Sequence, residues 1–351
     1  MLPAREQNYR PEGAAMNAPA APSRRVLAQM VLGNQVQQAI YVAAKLGIAD
    51  LLRDGPKTSD ELALSTGADS TALSRLLRAL AGFGLFAQDE QGRFELTPLA
   101  SLLQTGTPNS VRTFALWSGG VSYQAFAGLE YSVRTGKPAF EQTFGMGFFE
   151  YLSENQEVGD LFAELMSLHT APIAPVVAAY DFSDIATVID IGGGRGDLLA
   201  AILNAHPHLR GVLVDSPQVI RSAEEVLEAA GVRERCELVG QDIFNGVPGG
   251  GDCYLLKSVI HGLSDEQAVS LLVSCRRAMK ETGKLLLVEF VIPEGNEPFP
   301  GKLMDLLMLV GCYGRERSRG EFESLLTASG FRLSNVTETK HAYSLIEGEA
   351  A

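Results

Sequence analysis

The sequence predicts an α/β protein in two parts: a small, mainly helical N-terminal domain ending in a β-hairpin, and a larger domain built on a mixed sheet. Three observations carry this reading. After Tyr180 short apolar runs alternate with helix-like segments; the first run ends in a glycine-rich turn at Gly192, Gly194 and Gly196; and the region before Leu103 reads helix, turn, helix, hairpin. A length of 351 residues exceeds one ordinary domain and suits two.

Residues 1–24 are rich in Pro, Ala and charge and lack the apolar stretch of a secretory signal, so they read as a disordered tail. From Val26 to Leu52 apolar residues recur at helical spacing with few charges. Helices that are apolar on most faces must be covered, and at a chain end the expected cover is a second subunit. Thr58 or Ser59 predicts an N-cap, Asp69 to Thr71 opens a second helix, and GLFAQD and GRFELT form two short strands around a polar turn. The whole is a winged helix-turn-helix, assigned to residues 25–110. Such a shape can read DNA, and its second helix carries Arg75 and Arg78. Leu73, Leu76, Leu77 and Leu80 dominate that helix, however, and a net charge of -13 opposes phosphate contact. Dimerisation is the expected role, with no nucleic-acid partner.

Residues 111–180 read as helical and aromatic, a linker region expected to cap a substrate; most of the aromatics are explained by packing and some by an aromatic pocket. The four cysteines, Cys236, Cys253, Cys275 and Cys312, form no C-x-x-C pair, so neither a zinc site nor a disulfide framework is signalled and a reducing cytoplasm is expected. No apolar run approaches the roughly 20 residues that span a bilayer, which predicts a soluble protein without a membrane partner.

From residue 181 to the C-terminus the runs ATVIDIG, RGVLVDS, CELVGQD, CYLLKSV and KLLLVEFV are nearly all apolar, the texture of parallel strands covered on both faces. FRLSNVTETK and AYSLIEGE alternate more and predict an antiparallel pair at the sheet edge. In V-I-D-I-G-G-G-R-G-D the glycines follow Asp190 as G-x-G-x-G, whereas a dinucleotide fingerprint reads G-x-G-x-x-G. Glycines there let a ligand approach the backbone, although a tight strand-to-helix turn alone also calls for them. Asp215 and Asp242 close the next two strands. An acid at the first position can grip ribose hydroxyls, and one at the second, followed by Ile243 and Phe244, can accept from an adenine amino group. Either can also simply cap a helix.

His261 follows the fourth strand, at the edge where open α/β sheets bind ligands. A phenol, with a pKa of about 10, is a poor nucleophile at neutral pH, and imidazole, with a pKa of about 6.5, can accept its proton. A lone His there is also common as a surface residue. Glu289, in an otherwise apolar strand, and Glu316, between Arg315 and Arg317, are candidates to hold the ring; for Glu316 the plain alternative is a surface salt link.

The run L-K-S-V-I-H-G-L-S-D-E, with E-F and G-R-E-R-S-R-G-E-F downstream, resembles plant O-methyltransferases of the caffeic acid and acetylserotonin type. It is still more similar to bacterial relatives that methylate antibiotics, such as the mitomycin and phenazine enzymes. The likeness runs from about Val26 to the C-terminus and includes V-R-T-G-K-P-A-F and F-F-E-Y-L. It implies a Rossmann-like class I methyltransferase domain, S-adenosylmethionine as cofactor with no metal, a homodimer, and methyl transfer to a phenolic hydroxyl of a small aromatic metabolite. By the same likeness His261 is the base and Glu289 and Glu316 flank it. Asp190, Gly192, Gly194, Gly196, Asp215, Asp242, Ile243, Phe244, Lys257 and Thr170 hold the cofactor, while Phe149, Phe162, Met166, His169, Met304 and Met308 are candidates to touch the acceptor. The family usually has Asp after the catalytic His, where this chain has Gly262. The alternatives are a methyltransferase-like enzyme with non-methylating chemistry in the same pocket, and a cofactor-sensing DNA-binding regulator.

Overall fold

The structure, a computed structural model, describes residues 23–107, 109–169, 173–339 and 342–351. It divides into two compact units, residues 1–100 and 101–351.

In the first unit the oxygen of Ser23 accepts from the Val26 N–H and starts α1 (Arg24–Val31). The helical part therefore begins inside the stretch read as tail, of which residues 1–22 lie outside the described residues. The apolar run to Leu52 folds as three helices, α1, α2 (Gly33–Lys45) and α3 (Ile48–Leu51). Thr58, and not Ser59, caps α4 (Ser59–Thr66) in a capping box with Glu61, and Asp69 caps α5 (Ser70–Ala81). The wing is the antiparallel pair β1 (Phe86–Gln88) and β2 (Phe94–Leu96). Ala44, Ile48, Leu62, Leu77, Leu80, Phe86 and Phe94 form its interior. Val26, Leu27, Met30 and Val31 on α1 stay 48–71% exposed, a stripe with nothing to bury against among the described residues of this unit.

The division falls earlier than the expected boundary at residue 110. The Val111 N–H and the Ser110 hydroxyl donate back to the Leu102 carbonyl, tying this stretch to the second unit. That unit also contains the helical stretch, which is not a separate body: α6 (Arg112–Gly119), α7 (Val121–Phe126), α8 (Leu129–Thr135), α9 (Ala139–Phe144), α10 (Phe148–Glu154), α11 (Gln156–His169) and α12 (Ile173–Ala178). Trp117, Phe140, Phe144, Phe148, Tyr151 and Phe162 stack on one another there at centroid distances of 4.5–6.0 Å.

The eight-stranded sheet is laid out β5-β4-β3-β6-β7-β10-β9. Its parallel strands are β3 (Thr187–Ile191), β4 (Arg210–Asp215), β5 (Cys236–Gly240), β6 (Cys253–Lys257) and β7 (Lys284–Ile292), with the short β8 (Arg317–Ser318) beside the end of β7. Successive residues of β3 serve opposite faces, Val188 entering one core cluster and Ile189 the other. Helices α13 (Asp197–Ala205), α14 (Pro217–Ala229), α15 (Asp265–Ala278), α16 (Gly301–Gly311) and α17 (Arg319–Ala328) follow or link the strands. The antiparallel pair is β9 (Phe331–Glu338) and β10 (Tyr343–Ala350), as the alternation predicts. β10 is inserted between β7 and β9, so of this pair only β9 lies at an edge of the sheet, the opposite edge being β5. Strand order reverses at β3, whose neighbours β4 and β6 lead away in opposite directions and open a crevice at the carboxyl ends. Among the described residues no helix is long and apolar enough to cross a membrane.

Candidate active site

After β3 the backbone turns through Gly192, Gly194 and Gly196, all at positive φ (67°, 61° and 82°). A Cβ at Gly193 would lie 2.5 Å from the Asp190 carboxyl carbon and from a Leu213 methyl, whereas one at Gly194 would meet nothing within 4 Å. The loop is thus pressed onto the sheet on one side and open on the other, a cradle for a ligand. Beneath it Asp190 is 1% exposed, and neither carboxylate oxygen has a partner among the described residues. Burial first, and then the charge of Asp215, push its pKa up to about 7 against the pull of Lys257.

The Asp215 carboxylate accepts from the Gly194 N–H (2.9 Å) and the Ser216 N–H (2.7 Å), so it holds the glycine loop in shape as well as facing the crevice. Burial raises its pKa despite these bonds. Asp242 accepts from the Phe244 N–H (2.9 Å) and caps a 3-10 turn, which leaves Phe244 43% exposed while Ile243 packs on the core. Lys257 ends β6 with its ammonium 4.9 Å above the Tyr343 ring, and burial lowers its pKa. Ser167 on α11 donates to Asp197 directly after the loop (3.1 Å). Thr170 lies outside the described residues. A crevice with acids at three strand ends and one neighbouring lysine suits a cationic ligand, and a buried carboxylate lacking donors fits the ammonium of S-adenosylmethionine. The same charges disfavour a pyrophosphate.

His261 follows β6 in a short 3-10 turn, its side chain 18% exposed. Its Nδ1–H donates to Oε1 of the buried Glu316 at 2.8 Å, which leaves the Nε2 lone pair to face a proton donor. Glu289 flanks His261 without bonding to its ring. Its Oε1 accepts from the Val259 (3.1 Å) and Ile260 (2.9 Å) amides, so it grips the turn and not the ring. Ligating atoms of all three residues nevertheless lie within 4.8 Å of one another. Burial pulls the His261 pKa down, but the charge of Glu289 and the bond to Glu316 outweigh it and the net shift is upward. Burial also raises Glu289, to about 7, with the His261 charge opposing. At Gly262 a Cβ would meet nothing within 4 Å, so the missing Asp leaves open space and no disturbed bond.

Arg317 was readable only as a surface partner for an acid, yet it is 1% exposed. Its guanidinium donates to the carbonyls of Ile260 (2.9 Å) and Leu263 (3.1 Å) and to Asp265 (2.7 Å). A Cβ at Gly314 would overlap the His261 carbonyl oxygen, so the loop that carries Glu316 lies directly on the one that carries His261. Asp305 on α16 accepts from the Glu316 N–H (2.9 Å). The signal in the sequence was the unbroken charge run R-E-R, which hid one interior arginine.

Of the residues read as touching the acceptor, Met304 and Met308 share α16 with Asp305 and are half-buried. Met166 lies beside Ser167, near the glycine loop. Phe162 is a packing residue, 5.1 Å from Trp117 and 5.3 Å from Phe148, and Phe149 is 60% exposed. The His169 side chain is outside the described residues.

Two family descriptions match: an O-methyltransferase domain over residues 126–332 and an O-methyltransferase dimerisation domain over residues 28–106. A phenazine O-methyltransferase of Lysobacter antibioticus is 47% identical, the alignment covering 94% of this chain and 97% of that protein. The crystal structure of LaPhzM superposes with a TM-score of 0.90 at 46% identity, over 94% of this chain and 100% of the other. An O-methyltransferase from neocarzinostatin biosynthesis, solved in complex with S-adenosylmethionine and 2-hydroxy-5-methyl naphthoic acid, gives a TM-score of 0.84 at 32% identity, over 95% and 100%.

Proposed function

Because this chain belongs to the O-methyltransferase family, and so carries a methyl group from S-adenosylmethionine to a hydroxyl of a small aromatic molecule, we propose that its acceptor is a phenol on a planar fused-ring metabolite and that His261 takes the phenol's proton. The observation that carries the second part is the 2.8 Å bond from Nδ1 to Glu316, which fixes the tautomer with Nε2 as acceptor. The fused-ring acceptor is supported by the phenazine and naphthoic acid named with the relatives.

The cofactor supplies an electrophilic methyl group when bound. Asp190, the glycine loop, Asp215 and Lys257 would hold it at the crevice, and Phe244 would cover its flat end. Nε2 of His261 would take the acceptor hydroxyl's proton as the methyl leaves the cofactor's sulfur, and the imidazolium that results would be stabilised by Glu316 and by the charge of Glu289. Most of the acceleration comes from holding the oxygen in line with the methyl carbon. The dimerisation domain makes the enzyme a homodimer. Its four unpaired cysteines support a cytoplasmic setting.

The test uses labelled S-adenosylmethionine with a panel of phenols, hydroxyphenazines and naphthols. His261→Ala should lower kcat by about 10² to 10⁴ with cofactor affinity kept. The loss should shrink for acceptors already ionised at the assay pH, which need no base. An equal loss for weakly and strongly acidic phenols would leave His261 as a residue that places substrate without taking a proton.

A further inference from the structure

We propose that Arg317 is a positioning residue for proton transfer: by gripping the two carbonyls that bracket His261, while adjoining Glu316 in the chain, it sets the hydrogen bond between imidazole and carboxylate. The proposal rests on the reading of His261 as the base.

The turn at Ile260–Gly262 has no side-chain cap of its own, and a single 3-10 turn is a weak platform for a base. It is held from outside at both poles. On the amide side Glu289 accepts from Val259 and Ile260. On the carbonyl side Arg317 donates through Nη1 to Ile260 and through Nη2 to Leu263, and Nη1 also reaches the Arg315 carbonyl (3.3 Å). A buried anion and a buried cation thus clasp the peptide groups between them. A guanidinium is costly to bury unless every donor is used. Among the described residues its only carboxylate partner is Asp265, whose side chain is 51% exposed, so the backbone carbonyls carry much of the compensation. The planar fork reaches two carbonyls three residues apart in the sequence, which an ammonium on a single stem does not. Because residue 317 follows residue 316, fixing one arginine fixes both ends of the pair, the turn that carries His261 and the backbone that carries Glu316.

The charged groups around His261 are Glu289 from β7, Lys257 from the end of β6 and Glu316 from its own loop, with Asp265 behind Arg317 and Asp305 behind Glu316. Among these, Glu316 is the one bonded to the ring, and its bond and charge both raise the His261 pKa. If Arg317 sets that bond, loosening Arg317 must lower the pKa.

The chain has five histidines, so ring ¹³C labelling of the full-length dimer with S-adenosylhomocysteine bound gives few signals, and His261→Ala assigns the one of interest. Arg317→Lys is expected to lower the His261 pKa by at least half a unit and kcat on a hydroxyphenazine by about tenfold, with KM and S-adenosylhomocysteine affinity within twofold of the parent. A purely structural arginine would change the melting temperature and leave the titration in place. Should Arg317→Lys fail to fold, Asp265→Asn, at a half-exposed position, carries the same expectation with a smaller shift. A folded variant with an unmoved His261 titration overturns the proposal. His261→Ala retaining the parent's rate instead overturns the base reading, and with it the purpose assigned to Arg317.

Discussion

Replacing Asp190 by Asn should make the cofactor-free protein more stable above neutrality and nearly abolish its use for S-adenosylmethionine. Asp190 lies wholly inside the protein with neither oxygen partnered among the described residues, and burial lifts its pKa from 3.8 to about 7. Between about pH 4 and pH 7 the folded chain therefore keeps a proton that the unfolded chain has lost. Stability attributable to this group falls as pH rises through that window. A shift of about three units at roughly 1.4 kcal/mol each puts the full loss near 4 kcal/mol, a ceiling that local relaxation reduces. Asn has the shape of the neutral acid and does not titrate. About a third of that loss has already occurred by pH 5, so the difference in unfolding free energy, variant minus parent, should grow by about 1–2.5 kcal/mol from pH 5 to pH 8, while the titrations of the other groups cancel in the difference. Denaturant unfolding at both pH values measures it, and calorimetry with S-adenosylhomocysteine should show affinity down at least tenfold, since the amide no longer offers a charge to an ammonium. A difference that stays flat across the pH range would refute the argument that Asp190 is strained by burial.

Asp215→Ala removes both the acceptor for the Gly194 N–H and an acid facing the crevice, and should weaken S-adenosylhomocysteine binding by tenfold or more, about 1.4 kcal/mol, by calorimetry. Glu289→Gln keeps an oxygen for the two turn amides but loses the charge, so its kcat defect should be smaller than that of His261→Ala. The defect should also widen as pH rises through about 7, where the parent's Glu289 ionises; a ratio of rates independent of pH would contradict this. Leu27→Asp with Met30→Asp puts two charges on the exposed α1 stripe and should convert the dimer to monomer by light scattering at micromolar concentration.

What the sequence made legible is what short stretches of chain specify by themselves. The helix start at Thr58 or Ser59, the tight glycine turn, and the acids at consecutive strand ends are local, and each was readable from residue type and spacing. The interior placement of Arg317 was not, because its partners Ile260, Leu263 and Asp265 lie more than fifty positions away and R-E-R looks the same on a surface. Glu289 was readable as a buried acid near His261, but whether it met the ring or the peptide amides depended on where a turn thirty residues earlier came to rest. The insertion of β10 between β7 and β9 is likewise a matter of pairing choice, on which alternation along a strand is silent.

The same distinction bears on how such an enzyme changes acceptor while keeping its reaction. The proposed cofactor side draws on strand ends between Asp190 and Lys257, where a small change moves a backbone that must also fit its neighbours; even a methyl at Gly193 would strike the Asp190 carboxyl carbon. His261, the proposed base, sits on a turn whose amides and carbonyls are gripped by the buried side chains of Glu289 and Arg317, away from the residues proposed to touch the acceptor. By contrast, the acceptor candidates Met304 and Met308 are half-buried and Met166 is exposed, and methionine fills space without demanding a shape. One residue of that region is not free to vary in the same way. Asp305 lies between the two α16 methionines and holds the Glu316 amide, so a change of acceptor that shifts α16 must also move the carboxylate that orients His261. If the proposed acceptor and base residues hold, acceptor choice and proton transfer are coupled through a single helix, and exchanging Met304 or Met308 for a bulkier side chain should alter kcat as well as acceptor affinity wherever it displaces Asp305.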